Sequence, residues 1–137
     1  MAQLIAAEPY RVFFPFAILL GVAGVLMWPM FYKGYLAHYP LQTHARIMIE
    51  GFVGGFAIGF LGTALPKMMK TAHLTLWQVL SLLILLLGSS AFHMAGDIRV
   101  GDGLFSATML LLLSLLLIRL KRRGGPPPPV LILAGAR

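Results

Sequence analysis

His44, Arg46 and Glu50 fall within seven consecutive positions of the stretch HARIMIEGF, and a second histidine, His93, follows in SSAFHMAGD. In an otherwise apolar chain these are the side chains with chemistry to offer. Neutral imidazole ligates both haem iron and copper, and two imidazoles on facing helices can hold an iron axially or share a copper ion. Arg46 and Glu50 are four residues apart, so on a helix they share a face and can pair, which eases the placing of charge at low dielectric. Glu50 also lies six residues beyond His44, about 9 Å deeper at 1.5 Å per residue. An ionisable group at that depth marks a functional site by default. The plain alternative is a structural Arg46–Glu50 clasp with His44 wet at the interface. On the helical wheel His44 points away from both neighbours. If the helices carrying His44 and His93 are adjacent and antiparallel, the two rings reach similar depth, making His44 and His93 candidate metal ligands. Met48 and Met94 offer soft sulfur for copper, although most methionines in such a chain are packing filler. His38 and His73 read as solvated loop residues. Neither an HExxH pair nor a zinc knuckle is present, and the four acidic residues allow no hydrolase constellation.

The elements that must position these groups are membrane helices. Of 137 residues, 59% are hydrophobic and 11% charged, with a mean hydropathy of +0.88, more apolar surface than a water-soluble domain of this size can bury. Four stretches approach the roughly 20 apolar residues needed to cross a bilayer: 12–32, 44–65, 74–95 and 103–119. The expected fold is all-α, a single transmembrane helical bundle over 1–137 with four spans. Pro15 sits in the opening turn of the first, and Pro29 is placed to kink or end it. Pro66 closes the second. A basic, proline-rich tail over 120–137 ends in an apolar fragment too short to span, which reads as the start of a fifth helix. With no cysteine, disulfides and thiolate metal sites are excluded. Residues 1–11 lack a cleavable leader pattern, so the first run reads as a retained span.

After Glu50, Gly51, Gly55 and Gly59 form a stripe with four-residue spacing. Membrane helices associate by close packing, and such a stripe lets two backbones approach; it also leaves room for a flat ligand such as a porphyrin. The net charge of +7 is explained by orientation rather than nucleic acid. Arg11, Lys67, Lys70, Arg119, Lys121, Arg122, Arg123 and Arg137 share one side of the four crossings, with Lys33 and Arg99 opposite. Both termini are therefore expected in the cytoplasm.

EPYRVFFPFAILLGV at 8–22, HARIMIEGFVGGFAIGFLGTALPKMM at 44–69, AFHMAGD at 91–97 and RRGGPPPP at 122–129 resemble the NnrS family of bacterial inner-membrane proteins. The resemblance covers nearly the whole chain. It implies a connection with nitric oxide or nitrosative stress, and haem and copper as cofactors. It supports His44 as a ligand, His93 as a weaker candidate and Arg46 as the partner of a haem propionate. Many members read His-Ala-His-Glu-Met where this chain has His-Ala-Arg-Ile-Met, so Arg46 replaces one histidine. The family also has many more spans, where this chain offers four and a fragment.

Three functions compete. The first is a haem- or copper-binding membrane protein linked to nitric oxide. The second is a small transporter or channel, with Arg46 and Glu50 lining a polar path in a homo-oligomer packed along the glycine stripe. The third is a structural subunit partnered with lipid and other membrane proteins.

Overall fold

The computed structural model describes residues 2–37 and 39–123; His38 and the tail over 124–137 lie outside the described residues. Every regular element described is helical. A short α1 (Ala2–Ala7) leads into α2 (Tyr10–Tyr32). The second crossing is a composite: α3 (Leu41–Arg46), a π-helical stretch over Ile47–Val53, and α4 (Gly54–Met68). It is followed by α5 (Leu76–Met94) and α6 (Ile98–Arg123). Four of these runs, Tyr10–Tyr32, Leu41–Met68, Leu76–Met94 and Ile98–Lys121, are long and apolar enough to cross a membrane.

The boundaries differ from the sequence-based expectation where local chemistry overrides proline and glycine. Neither Pro29 nor Pro66 ends its helix. Instead α2 stops at a left-handed Gly34 (φ +79°), with the N–H of Tyr35 donating to Met30 and that of Gly34 to Phe31. The α5 helix stops the same way at Gly96 (φ +88°), with Asp97 N–H donating to Phe92 O. These are Schellman ends, which satisfy the last carbonyls of a helix. The α4 helix has the same hydrogen bonds, Thr71 to Pro66 and Lys70 to Lys67, but its left-handed residue is Lys70 (φ +52°). At the start of α6, Asp97 Oδ1 accepts the N–H of Val100 at 3.2 Å. This cap starts the helix at Ile98 and brings Asp102, which precedes the expected span over 103–119, inside it.

The second crossing is packed from both sides. Methyl groups built on Gly55 and Gly59 would come within 2.9 Å of Ala17 Cβ and 2.8 Å of Phe13 Cβ, so the α2 backbone occupies the glycine stripe. Gly51 faces Leu20 and Ser90, and Gly54 faces the Phe105 ring. The stripe is thus filled by the chain itself, leaving no space on it for a porphyrin or a second copy. Phe13, Ile58, Val79, Leu82, Leu86 and Leu112 form the centre of the bundle. Leu19, Val25, Ile49, Phe60, Ile84 and Leu110 point outward, as suits a lipid-facing surface.

At one end of the bundle Lys67 Nζ reaches Glu8 at 3.4 Å, and Arg119 ties α6 to the α4–α5 turn. The basic residues concentrate here. His44, Arg46, Glu50, His93 and Asp102 lie at the other end.

Candidate functional site

Glu50 lies in the π-helical stretch, where hydrogen bonds run to the fifth residue and the helix accommodates an extra residue per turn. Such bulges recur at functional sites. This places Glu50 on the inner face with Ile47 and Gly51, buried at 6% exposure, although it carries a carboxylate. His93 ends the buried face of α5, which also carries Leu86, Ser89 and Ser90, and is itself fully buried.

The carboxylate of Glu50 is shared. Its Oε1 accepts Arg46 Nη1–H at 3.2 Å, and its Oε2 lies 3.0 Å from His93 Nε2. A carboxylate accepts, so Nε2 carries the hydrogen and donates. Asp102 repeats the division from α6: Oδ2 accepts from Arg46 Nη2 at 2.9 Å, while Oδ1 stands 3.7 Å from His93 Nε2. The four side chains close a ring in which Arg46 holds the outer oxygen of each carboxylate and the inner oxygens converge on the imidazole. Asp102 Oδ1 and His93 Nδ1 are buried without a hydrogen-bond partner among the described residues. The ligand atoms of Glu50, His93 and Asp102 all lie within 4.8 Å of one another, a group able to hold a metal ion. Arg46 and Asp102 side chains are 43% and 38% exposed against 8% and 1% for Glu50 and His93, so the ring opens outward.

Glycine at 101 makes this possible. It sits against the His93 ring so closely that a Cβ there would overlap the imidazole. The ring is pressed between the α6 backbone and Glu50.

His44 is elsewhere. Its Nδ1 lies 2.9 Å from the carbonyl of Gly24 on α2, and its ring meets Trp28 edge-on, with centroids 5.6 Å apart. A carbonyl can only accept, so Nδ1 carries the hydrogen and Nε2 keeps a free lone pair. The expected meeting of His44 and His93 does not occur: each ring is bonded to a different partner, because the face of the helix carrying His44 turns to α2 and that carrying Glu50 turns to α5. Arg46 and Glu50 are brought together with His93. Asp102 was missed, and its signal was present in Asp97, whose type suits a helix cap five residues earlier. Met48 packs its sulfur against Gly24 and Met94 is 39% exposed.

No curated protein and no solved structure matches this chain significantly. The family description "NnrS protein" matches over residues 4–136, a range that includes all four crossings and every residue of the ring. A multi-pass membrane protein in which two carboxylates and a buried imidazole converge at one end of the bundle is, by that match, a member of the NnrS family.

Proposed function

We propose that this chain is a metal-binding protein of the inner membrane connected with nitric oxide or nitrosative stress, with both termini cytoplasmic and the metal held by Glu50, His93 and Asp102. The observation that carries the proposal is the convergence of two carboxylate oxygens on one imidazole nitrogen, with Asp102 Oδ1 buried and lacking a hydrogen-bond partner among the described residues. The donors are one nitrogen and two oxygens, without sulfur. Such a set suits a divalent ion; copper fits as Cu(II), whereas Cu(I) favours sulfur. To coordinate through Nε2, neutral His93 would take the other tautomer, with its hydrogen moved from Nε2 to Nδ1. Arg46 orients both carboxylates from outside, and Gly101 fixes the plane of the ring. A bound transition metal would supply a coordination position for a small diatomic such as nitric oxide.

Haem does not fit at His93, whose ring is fully buried between Glu50 and the α6 backbone. His44 suits it better. Its Nδ1–H is pinned by Gly24 O, the arrangement that orients ligating histidines and leaves Nε2 for the metal. An apolar groove of about 350 Å³, between Ile18, Val22, Val25 and Leu26 on α2 and Met48 and Phe52, lies further along the same helices. Arg46, the proposed propionate partner, is engaged by two carboxylates instead.

The transporter alternative needs a polar path through the bundle. Inward of Ser90, the faces toward Gly55 and Gly59 are filled by Leu86, Ala17 and Phe13, with Ile58 and Leu82 in the same core. These residues offer no relay for an ion or a proton.

The test is metal analysis and spectroscopy of the purified protein in detergent, expressed with ample haem and copper. A bound divalent ion retained through dialysis and lost in Glu50→Gln and His93→Ala is the expected result. A Soret band lost in His44→Ala, with the ion retained, would assign haem separately. A colourless preparation free of copper, iron and other transition metals overturns the proposal.

A further inference from the structure

At the opposite end of the bundle a cavity of about 480 Å³ lies between the α4–α5 turn and the last turns of α6. Its walls include Lys70, Thr71 and His73 from the turn, and Leu115 and Ile118 from α6. Arg119 builds the wall: its guanidinium donates to the carbonyls of Ala72, His73 and Leu115 and to Gln78 Oε1, at 2.7–3.2 Å. Gln78 belongs in turn to the capping box with Thr75 that starts α5. The turn is therefore held in place by the charge of one arginine, and that charge stays beside the cavity.

Two donors at this cavity are unspent. The Lys70 side chain is exposed and its ammonium makes no hydrogen bond or ion pair with any described residue. Thr71 Oγ1 is buried without a hydrogen-bond partner among the described residues. Lys67 is engaged by Glu8, which also accepts from Arg11 and the Tyr10 hydroxyl, so that carboxylate is neutralised by its own cations. Positive charge with free donors, set over an apolar floor of Leu115 and Ile118 at the end of membrane helices, has the chemistry of a site for a phosphate group attached to an acyl chain. Lys70 strengthens the case. The other two Schellman ends place glycine in the left-handed position, where a side chain is disfavoured; the ammonium is positioned at the cavity in spite of that.

We propose that this cavity binds the phosphate of an anionic phospholipid headgroup, with Lys70, Thr71 and His73 as the contacting residues and Arg119 as the positioning residue. Free phosphate has the same recognising chemistry and is separated by the experiment. Purified full-length chain in detergent is mixed with phosphatidylglycerol or phosphatidylcholine, and retained lipid is read by native mass spectrometry with and without inorganic phosphate. The expected result is preferential retention of one phosphatidylglycerol, weakened about fivefold in Lys70→Gly and further in Lys70→Gly/His73→Gln. Lys33→Gln, at the far end, should leave it unchanged. The glycine variant relieves the left-handed strain, so loss of binding there cannot be ascribed to misfolding. A phosphate adduct without lipid preference would assign the site to free phosphate. Equal retention of the two lipids with no phosphate adduct, or retention of phosphatidylglycerol unaltered in the double variant, overturns the proposal.

Discussion

Gly101 decides where the His93 ring can lie. With a fully buried imidazole against its Cα, even one methyl group must push the ring off the α6 backbone or push α6 outward. Neither Glu50 nor Asp102 is altered by such a change, so it separates geometry from donor identity. Gly101→Ala is expected to destabilise the protein by about 1–3 kcal/mol, the range for overpacking a filled site, and to weaken metal retention while all three donors remain. Thermal unfolding in detergent and metal content after dialysis measure the two effects. An alanine variant with unchanged stability and unchanged metal content would show that the ring is not clamped. Arg46, Glu50 and His93 were legible from the sequence as ionisable groups at membrane depth. Their pairing with Asp102 was not, because its contact with Arg46 joins positions 56 residues apart and glycines at 101 and 103 disguise the start of α6 as a loop.

At the scale of elements, the glycine stripe is read directly from its spacing, whereas the direction it faces is a tertiary property. The ranking of its members is also tertiary. Gly55 and Gly59 oppose the Cβ atoms of Ala17 and Phe13, which cannot swing aside, while the atoms near Gly51 are the end of Leu20 and the Ser90 hydroxyl at 3.2 Å, which can. Gly55→Ala and Gly59→Ala should each lower stability by about 1–3 kcal/mol and Gly51→Ala by less, as measured by unfolding in detergent. An equal loss at all three positions would mean that α2 does not pack as described. The π-helical stretch had no local signature either; Ile47–Val53 reads as ordinary helix. Where α2 begins, Arg11 and Lys67 flank Glu8, and the hydrogen bond from Arg11 foremost holds its carboxyl below the usual carboxylate range. A depressed value means stabilisation that is present above the unfolded-state pKa and lost as pH falls through the lowered folded-state value. The Tm difference between the native chain and Glu8→Gln should therefore be steady at neutral pH and vanish in strong acid. A difference independent of pH would remove the carboxylate's charge as its cause.

For the whole molecule, the two ends differ in what their charges do. At one end Lys67, Lys70, Arg119 and Lys121 outnumber Glu8, while at the other Lys33 and Arg99 are offset by Asp97 and Asp102. Retention of Lys and Arg in the cytoplasm would put the basic end inside and the ring of Arg46, Glu50, His93 and Asp102 at the outer surface. The sequence alone supports this asymmetry, because the charges cluster next to the spans whichever way the helices pack. It also bears on access: the ring opens through the half-exposed Arg46 and Asp102, so in this orientation an ion or a small molecule reaches it without crossing the apolar core. The absence of cysteine makes the orientation measurable in intact cells. Tyr35→Cys, on the exposed turn after α2, should react with a membrane-impermeant maleimide added outside, and His73→Cys should react only after the membrane is opened. The reverse pattern would place the phosphate-binding cavity outside and the metal ring on the cytoplasmic side. The ion would then have to come from the cell interior, and the charge argument for both termini would fail together with it.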